Sequence, residues 1–152
     1  MFTGSLGNII KESIIISITI IRSLSYKLNI NKNFYKEHDI HIHFPDGSTP
    51  KDGPSAGITI CIALISSLIN IKTKNIAMTG EISLHGLVLP IGGLKEKILA
   101  AIKYNINNII IPLDNKNDLY NIDKNILKKI NIIFVKNIEE AIKFSFNKNI
   151  LD

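Results

Sequence analysis

The stretch Thr49-Pro50-Lys51-Asp52-Gly53-Pro54-Ser55-Ala56-Gly57 restricts the fold more than any other part of this chain. It crowds turn-forming and small residues between two apolar segments of different period. Upstream, residues 40–44 alternate strictly: Ile40, Ile42 and Phe44 point one way, His41 and His43 the other, as in a half-buried strand. Downstream, residues 54–69 are mainly apolar and predict a helix. Pro54 suits its first turn, where the missing N–H has no partner anyway. The chain therefore reads strand, tight loop, helix, and it sets Ser55 at the helix mouth.

The rest of the pattern alternates in the same way. The spacing of Ile14, Ile18, Ile21, Leu24 and Leu28 predicts a helix over residues 11–28, against the local β-branched run 14–16. Residues 76–78 read as a short strand, and 81–84 with 87–89 as a hairpin around His85-Gly86. A helix is predicted over 92–104 and a buried strand over 108–112. One or two short helices are expected within 115–129, a strand over 132–135 and a last helix over 138–146. Strands alternating with helices give an α/β domain of short strands and packed helices. Neither an internal repeat nor a linker interrupts it, so residues 1–152 are read as one domain.

Composition narrows the function classes. With 45% hydrophobic and 20% charged residues in 152, the chain is globular rather than disordered. Its bias toward Ile, Asn and Lys runs through predicted core and loops alike, as a coding bias toward AT-rich codons would. That bias weakens periodicity, because isoleucine also stands where a surface residue would do. The net charge of +5 raises nucleic acid and acidic membrane as partners. The lysines are scattered, however, and few aromatics interleave with them, so neither partner is expected. The apolar run 14–21, flanked by Lys11, Glu12 and Arg22, is too short to span a bilayer. The absence of a leader pattern argues against secretion. Cys61 is the single cysteine, which excludes an intrachain disulfide and fits a reducing compartment, the cytoplasm or an organelle matrix.

A second unusual stretch, Pro90-Ile91-Gly92-Gly93-Leu94-Lys95-Glu96-Lys97, opens another helix with lysines near its start. A serine at one helix mouth and a lysine on a second helix are the minimal parts of a Ser-Lys hydrolase. Unpaired N–H groups and the positive dipole end at the serine helix could bind an oxyanion. Gly53, Ala56 and Gly57 keep the approach to Ser55 open to a substrate backbone. The plainer role for Ser55 is a helix cap. A lysine acts as a base only as the neutral amine, a form that burial favours. On a helical wheel Lys95 lies nearer than Lys97 to the centre of the apolar face of Leu94, Ile98 and Ile102, and two solvated lysines are the plainer reading. His41 and His43 share a strand face and could bind a metal, but no third ligand stands at a clear spacing. A Ser-His pair is the stronger rival to Ser-Lys.

Both stretches, in this order, resemble the proteolytic domain of the Lon family, the ATP-dependent serine proteases. The likeness continues through His41-Ile42-His43-Phe44-Pro45, Ala77-Met78-Thr79-Gly80-Glu81-Ile82-Ser83-Leu84, Val88-Leu89-Pro90-Ile91-Gly92-Gly93 and Ile110-Ile111-Pro112. Asn115-Lys116-Asn117-Asp118-Leu119 and the opening Thr3-Gly4-Ser5-Leu6-Gly7 are similar too, so the resemblance covers nearly the whole chain. It implies a serine endopeptidase with Ser55 as nucleophile and Lys97, rather than Lys95, as base. Thr79 would support the dyad from the end of its strand, holding the lysine amine in position. Asp52 would pair with the lysine at rest or order its loop, Glu81 would stand near the site, and Ala56 would flank the serine. The histidines match the family as supporting residues.

The family also implies a hexameric ring, unfolded or damaged polypeptides as substrates, and an ATPase that feeds them. No G-x-x-x-x-G-K-[ST] phosphate loop occurs in this sequence. The chain is therefore expected to hold no cofactor and no metal, with ATP and Mg²⁺ acting only through a separate ATPase module. The match begins inside the family's proteolytic domain, so the strands and acidic residue that precede this point there are expected to be missing. The alternative from another class is an inactive remnant or assembly module of a split Lon protease.

Overall fold

A computed structural model describes residues 1–45 and 52–151. Residues 46–51, most of the predicted loop after the first alternating strand, lie outside the described residues. The chain forms β1 (Phe2–Thr3), α1 (Asn8–Ser23), α2 (Phe34–Glu37) and β2 (Ile42–His43). A turn of 3₁₀ helix, Pro54–Ala56, leads into α3 (Gly57–Ile69). Next come β3 (Ala77–Met78), β4 (Glu81–Ile82), β5 (Val88–Leu89), α4 (Leu94–Lys103) and β6 (Asn108–Pro112). A 3₁₀ segment Leu113–Asn121, α5 (Lys124–Leu127), β7 (Asn131–Val135) and α6 (Ile138–Ser145) complete it.

The centre is a parallel sheet in the order β3-β6-β7, with Met78 opposite Ile110 and Ile110 opposite Ile133. Its middle strand explains why the sheet must be covered twice. Ile109, Ile110 and Ile111 are all buried, the continuous apolar run of a strand with both faces packed. Period-two alternation divides them. Ile110 joins the core built by α1, α3 and α6, whereas Ile109 and Ile111 join a second core with Leu94, Ile98 and Ala101 of α4. Ile133 and Val135 of β7 pack on the first side, Ile132 and Phe134 on the second. The result is an α/β/α sandwich, as the alternation of elements predicts. The hairpin β4-β5 is antiparallel, and β1 pairs in parallel with β2.

The sequence reading differs from this in places that have local causes. The first helix begins at Asn8 and ends at Ser23, not over 11–28. Leu24 and Leu28 stay buried, but in a turn where Ile30 N–H bonds to Ser25 C=O and Asn29 takes a left-handed φ of 51°. Asparagine tolerates that conformation, and the helix itself stops earlier, at its C-cap Leu24 with φ −91° and ψ 2°. The serine helix opens with its 3₁₀ turn rather than with α helix. The short elements β1 and α2 carry too few residues for a period and go unread in the sequence.

Candidate active site

Ser55 is held from the sheet. Its carbonyl accepts the Gly80 N–H at 2.9 Å and the Thr79 hydroxyl at 3.3 Å. Ile58 N–H returns a bond to Gly80 C=O at 3.0 Å, so the end of β3 and the start of α3 are stitched both ways. Glycine at 80 permits this approach, because a Cβ there would lie 2.7 Å from a Val88 methyl. Gly57 is similarly tight, its Cβ position being 3.0 Å from Ile82. Thr79 is itself tied into the sheet by its N–H to Ile110 C=O at 3.1 Å. The 3₁₀ turn and first turn of α3 therefore have a fixed place above the C-terminal end of β3.

Lys97 comes to the same place from α4. That helix starts at Gly93, whose backbone is left-handed at φ 67°, a conformation that costs glycine nothing. Lys97, Ala100, Ala101 and Tyr104 fall at i, i+3, i+4 and i+7, so they form one stripe along the helix. This stripe faces the cleft, while Leu94 and Ile98 fill the second core. The Lys97 amine donates to the Gly92 carbonyl at 3.1 Å, which bends the side chain back over the helix start. Lys95 is exposed and is not among the cleft residues. The wheel placed Lys95 nearer the apolar centre because it treated Ile102 as core. In the folded chain Ile102 is only partly buried, and the cleft lies on the flank that carries Lys97.

Ser55, Ala56, Thr79, Lys97, Ala100 and Tyr104 all line one cleft of about 410 Å³. Phe44 and Thr59 form its boundary with a larger groove of about 790 Å³ between β2 and α3. The Thr79 hydroxyl is bonded to the serine's own carbonyl, and the lysine amine to Gly92. Glu81 pairs with Leu89 in the hairpin and is not among the residues lining the cleft. Asp52 turns the other way: its Oδ1 accepts the Ile9 N–H at 2.9 Å and the Ile10 N–H at 3.3 Å, at the start of α1.

The histidines belong to the larger groove, not to the serine cleft. Both bond to one hydroxyl, Thr3 Oγ1, through His41 Nε2 at 2.8 Å and His43 Nδ1 at 2.8 Å. A hydroxyl gives one proton and accepts two, so at most one of the two rings meets it with a bare nitrogen. Among the described residues no cluster of three or more His, Cys, Asp or Glu is placed to hold a metal. Cys61 is fully buried in the first core, and burial pushes its thiol up to about 12. Such a thiol is inert at neutral pH.

One residue at the site stands in a family-like motif of the sequence but receives no role there. Asn115 is buried, and its side-chain amide bonds both polar groups of Ile91: Oδ1 accepts the N–H at 3.0 Å, and Nδ2 donates to the C=O at 2.8 Å. It thereby pins the segment just ahead of Gly92, whose carbonyl holds Lys97. In a chain this rich in asparagine no composition signal could single it out.

Ser55 at the mouth of one helix and Lys97 from a second helix thus line the same cleft. The Lon protease (S16) C-terminal proteolytic domain matches this chain over residues 1–148, and the chain belongs to that family. It is 53% identical over 148 residues to the Lon protease of Buchnera aphidicola subsp. Acyrthosiphon pisum, covering 97% of this chain and 19% of that protein. Against the Lon protease of Escherichia coli K12 it is 52% identical over 142 residues, 93% of this chain and 18% of that one. The Lon protease of Vibrio parahaemolyticus is 49% identical over 148 residues, with 97% and 19% covered. The chain thus spans about a fifth of the length of the relatives it matches. Among the described residues no helix is long and apolar enough to cross a membrane.

Proposed function

We propose that this chain is a serine endopeptidase domain that hydrolyses peptide bonds of unfolded polypeptides through a Ser55–Lys97 dyad. The observation that carries the reading is the shared cleft, where among the described residues the serine and the lysine, but no histidine, line the walls. In the first step Ser55 Oγ attacks the peptide carbonyl carbon while the Lys97 amine takes the hydroxyl proton. Negative charge collects on the carbonyl oxygen, near the N-terminal turn whose N–H groups and dipole favour it. The C–N bond then breaks, Lys97 returns a proton to the leaving amine, and the acyl group stays on Ser55. Water, deprotonated by the same amine, attacks the ester carbonyl; the C–O bond to Ser55 breaks, Ser55 Oγ takes that proton back from Lys97, and the acid leaves.

The Lys97 bond to Gly92 supports this role, since it leaves the amine aimed from a fixed point rather than swinging free. Thr79 serves by fixing the backbone of Ser55. ATP and Mg²⁺ enter only through an ATPase module outside these residues, on the same or another chain. Assembly into a homo-oligomer, a hexamer by analogy with the family, and work in the cytoplasm or an organelle matrix belong to the same reading. The test is Ser55→Ala with a fluorogenic peptide and an active-site serine reagent. Hydrolysis should fall about ten thousandfold or more with the fold unchanged. Acylation of any residue other than Ser55, or a fully active variant, would falsify the assignment.

A further inference from the structure

We propose that Gly7 and Asp52 form a latch that positions Ser55, which makes Gly7 a positioning residue for the reaction. The inference rests on the serine-peptidase reading of the cleft. Helix α1 begins with N–H groups that need an acceptor, the usual task of the N-cap side chain. Its N-cap is Gly7, which has no side chain to offer. Asp52, far away in the sequence, fills that place and accepts from both Ile9 and Ile10. The backbone of Gly7 is extended, at φ −75° and ψ 177°, so any residue could adopt it. Space alone requires glycine there, because a Cβ on residue 7 would overlap the Asp52 carboxyl group.

Asp52 stands three residues ahead of Ser55, separated by Gly53 and Pro54. A Cβ on Gly53 would meet nothing within 4 Å, so no packing restrains that link from the side. The loop is held instead at its two ends. Asp52 is tied to α1, and the Ser55 carbonyl is tied to Gly80 and Thr79. Releasing the first anchor frees the segment that leads into the serine and spreads the directions its hydroxyl takes. A displacement that small at a reacting atom costs rate rather than binding.

Gly7→Ser separates the latch from a simple helix cap. The new hydroxyl can cap α1 by itself while its Cβ expels Asp52. The thermal midpoint should therefore stay near that of the wild type, while kcat falls about tenfold or more and KM changes little. Asp52→Asn, which keeps Oδ1, should retain kcat within about threefold, and Asp52→Ala should lose it as Gly7→Ser does. The double variant Gly7→Ser with Asp52→Ala should be no slower than Gly7→Ser alone, since both remove one interaction. A stable Gly7→Ser protein with wild-type kcat overturns the latch and leaves the serine reading intact. If the wild-type chain fails to hydrolyse peptide, or Ser55→Ala keeps activity, the serine reading is what fails. Hydrogen exchange then judges the latch by itself: the amides of residues 53 and 55–57 should exchange faster in Gly7→Ser while those of Ile9 and Ile10 stay protected. Unchanged exchange at those four amides overturns it.

Discussion

Lys95 and Lys97 are chemically identical and two residues apart, yet only Lys97 lines the cleft with Ser55. A proton-transfer base contributes about a hundredfold or more to rate. Lys97→Ala should lose activity on that scale, whereas Lys95→Ala, at an exposed position, should stay within about threefold. Steady-state kinetics on one peptide decides between them, and the reverse order would make Lys95 the base. Cys61 gives a test of the core at the same scale. Its thiol is raised from 9.0 to about 12 by burial, and only the thiolate reacts. Iodoacetamide at pH 8 should leave the folded chain unmodified and label Cys61 on denaturation. The linkage has a definite sign: above pH 9 the unfolded thiol releases a proton that the folded one retains. Stability should therefore fall as pH rises from 9 toward 12, and Cys61→Ala should weaken that dependence in denaturant titrations.

At the scale of elements, the start of α4 depends on a side chain from the 3₁₀ segment Leu113–Asn121. Asn115 satisfies both polar groups of Ile91, so Asn115→Leu would leave a half-buried donor and acceptor without these partners. The expected loss is about 2 kcal/mol or more, read from chemical denaturation. Activity measured well below the melting temperature should fall too, because Gly92 carries the carbonyl that holds the Lys97 amine. Normal kcat in a destabilised Asn115→Leu protein would reduce Asn115 to a purely structural part. The serine side is built by the same logic. Gly80 and Gly57 let β3, β5 and α3 approach closely enough for the Ser55 carbonyl to be bonded.

At the scale of the molecule, the sheet β3-β6-β7 joins two cores through opposite faces of the same strands. The serine helix belongs to one core and the lysine helix to the other, so the cleft exists only where both are packed on the sheet. The proposed dyad chemistry would need an extended peptide and nothing that couples ATP to unfolding. The purified chain should cleave short flexible peptides and unstructured proteins, and added ATP and Mg²⁺ should not change the rate. A folded domain should resist, since its global stability of several kcal/mol must first be overcome. ATP-stimulated degradation of a folded substrate by this chain alone would contradict the proposal.

The sequence by itself determined the α/β class, the strand 108–112 and the place of Ser55 at a helix mouth. Each rests on a local pattern: an unbroken apolar triplet, an alternation of period two, a proline and glycines ahead of an apolar run. It also carried the motifs by which the family is recognisable. The tertiary structure alone decided that Asp52 reaches α1, that Asn115 braces Ile91, and that β1 pairs with β2; it also sets Lys97 in the serine's cleft, the lysine that the family motif implies and the helical wheel does not. These contacts join residues far apart along the chain, so no period records them. In a sequence where isoleucine and asparagine stand almost everywhere, only the folded packing shows which copies matter.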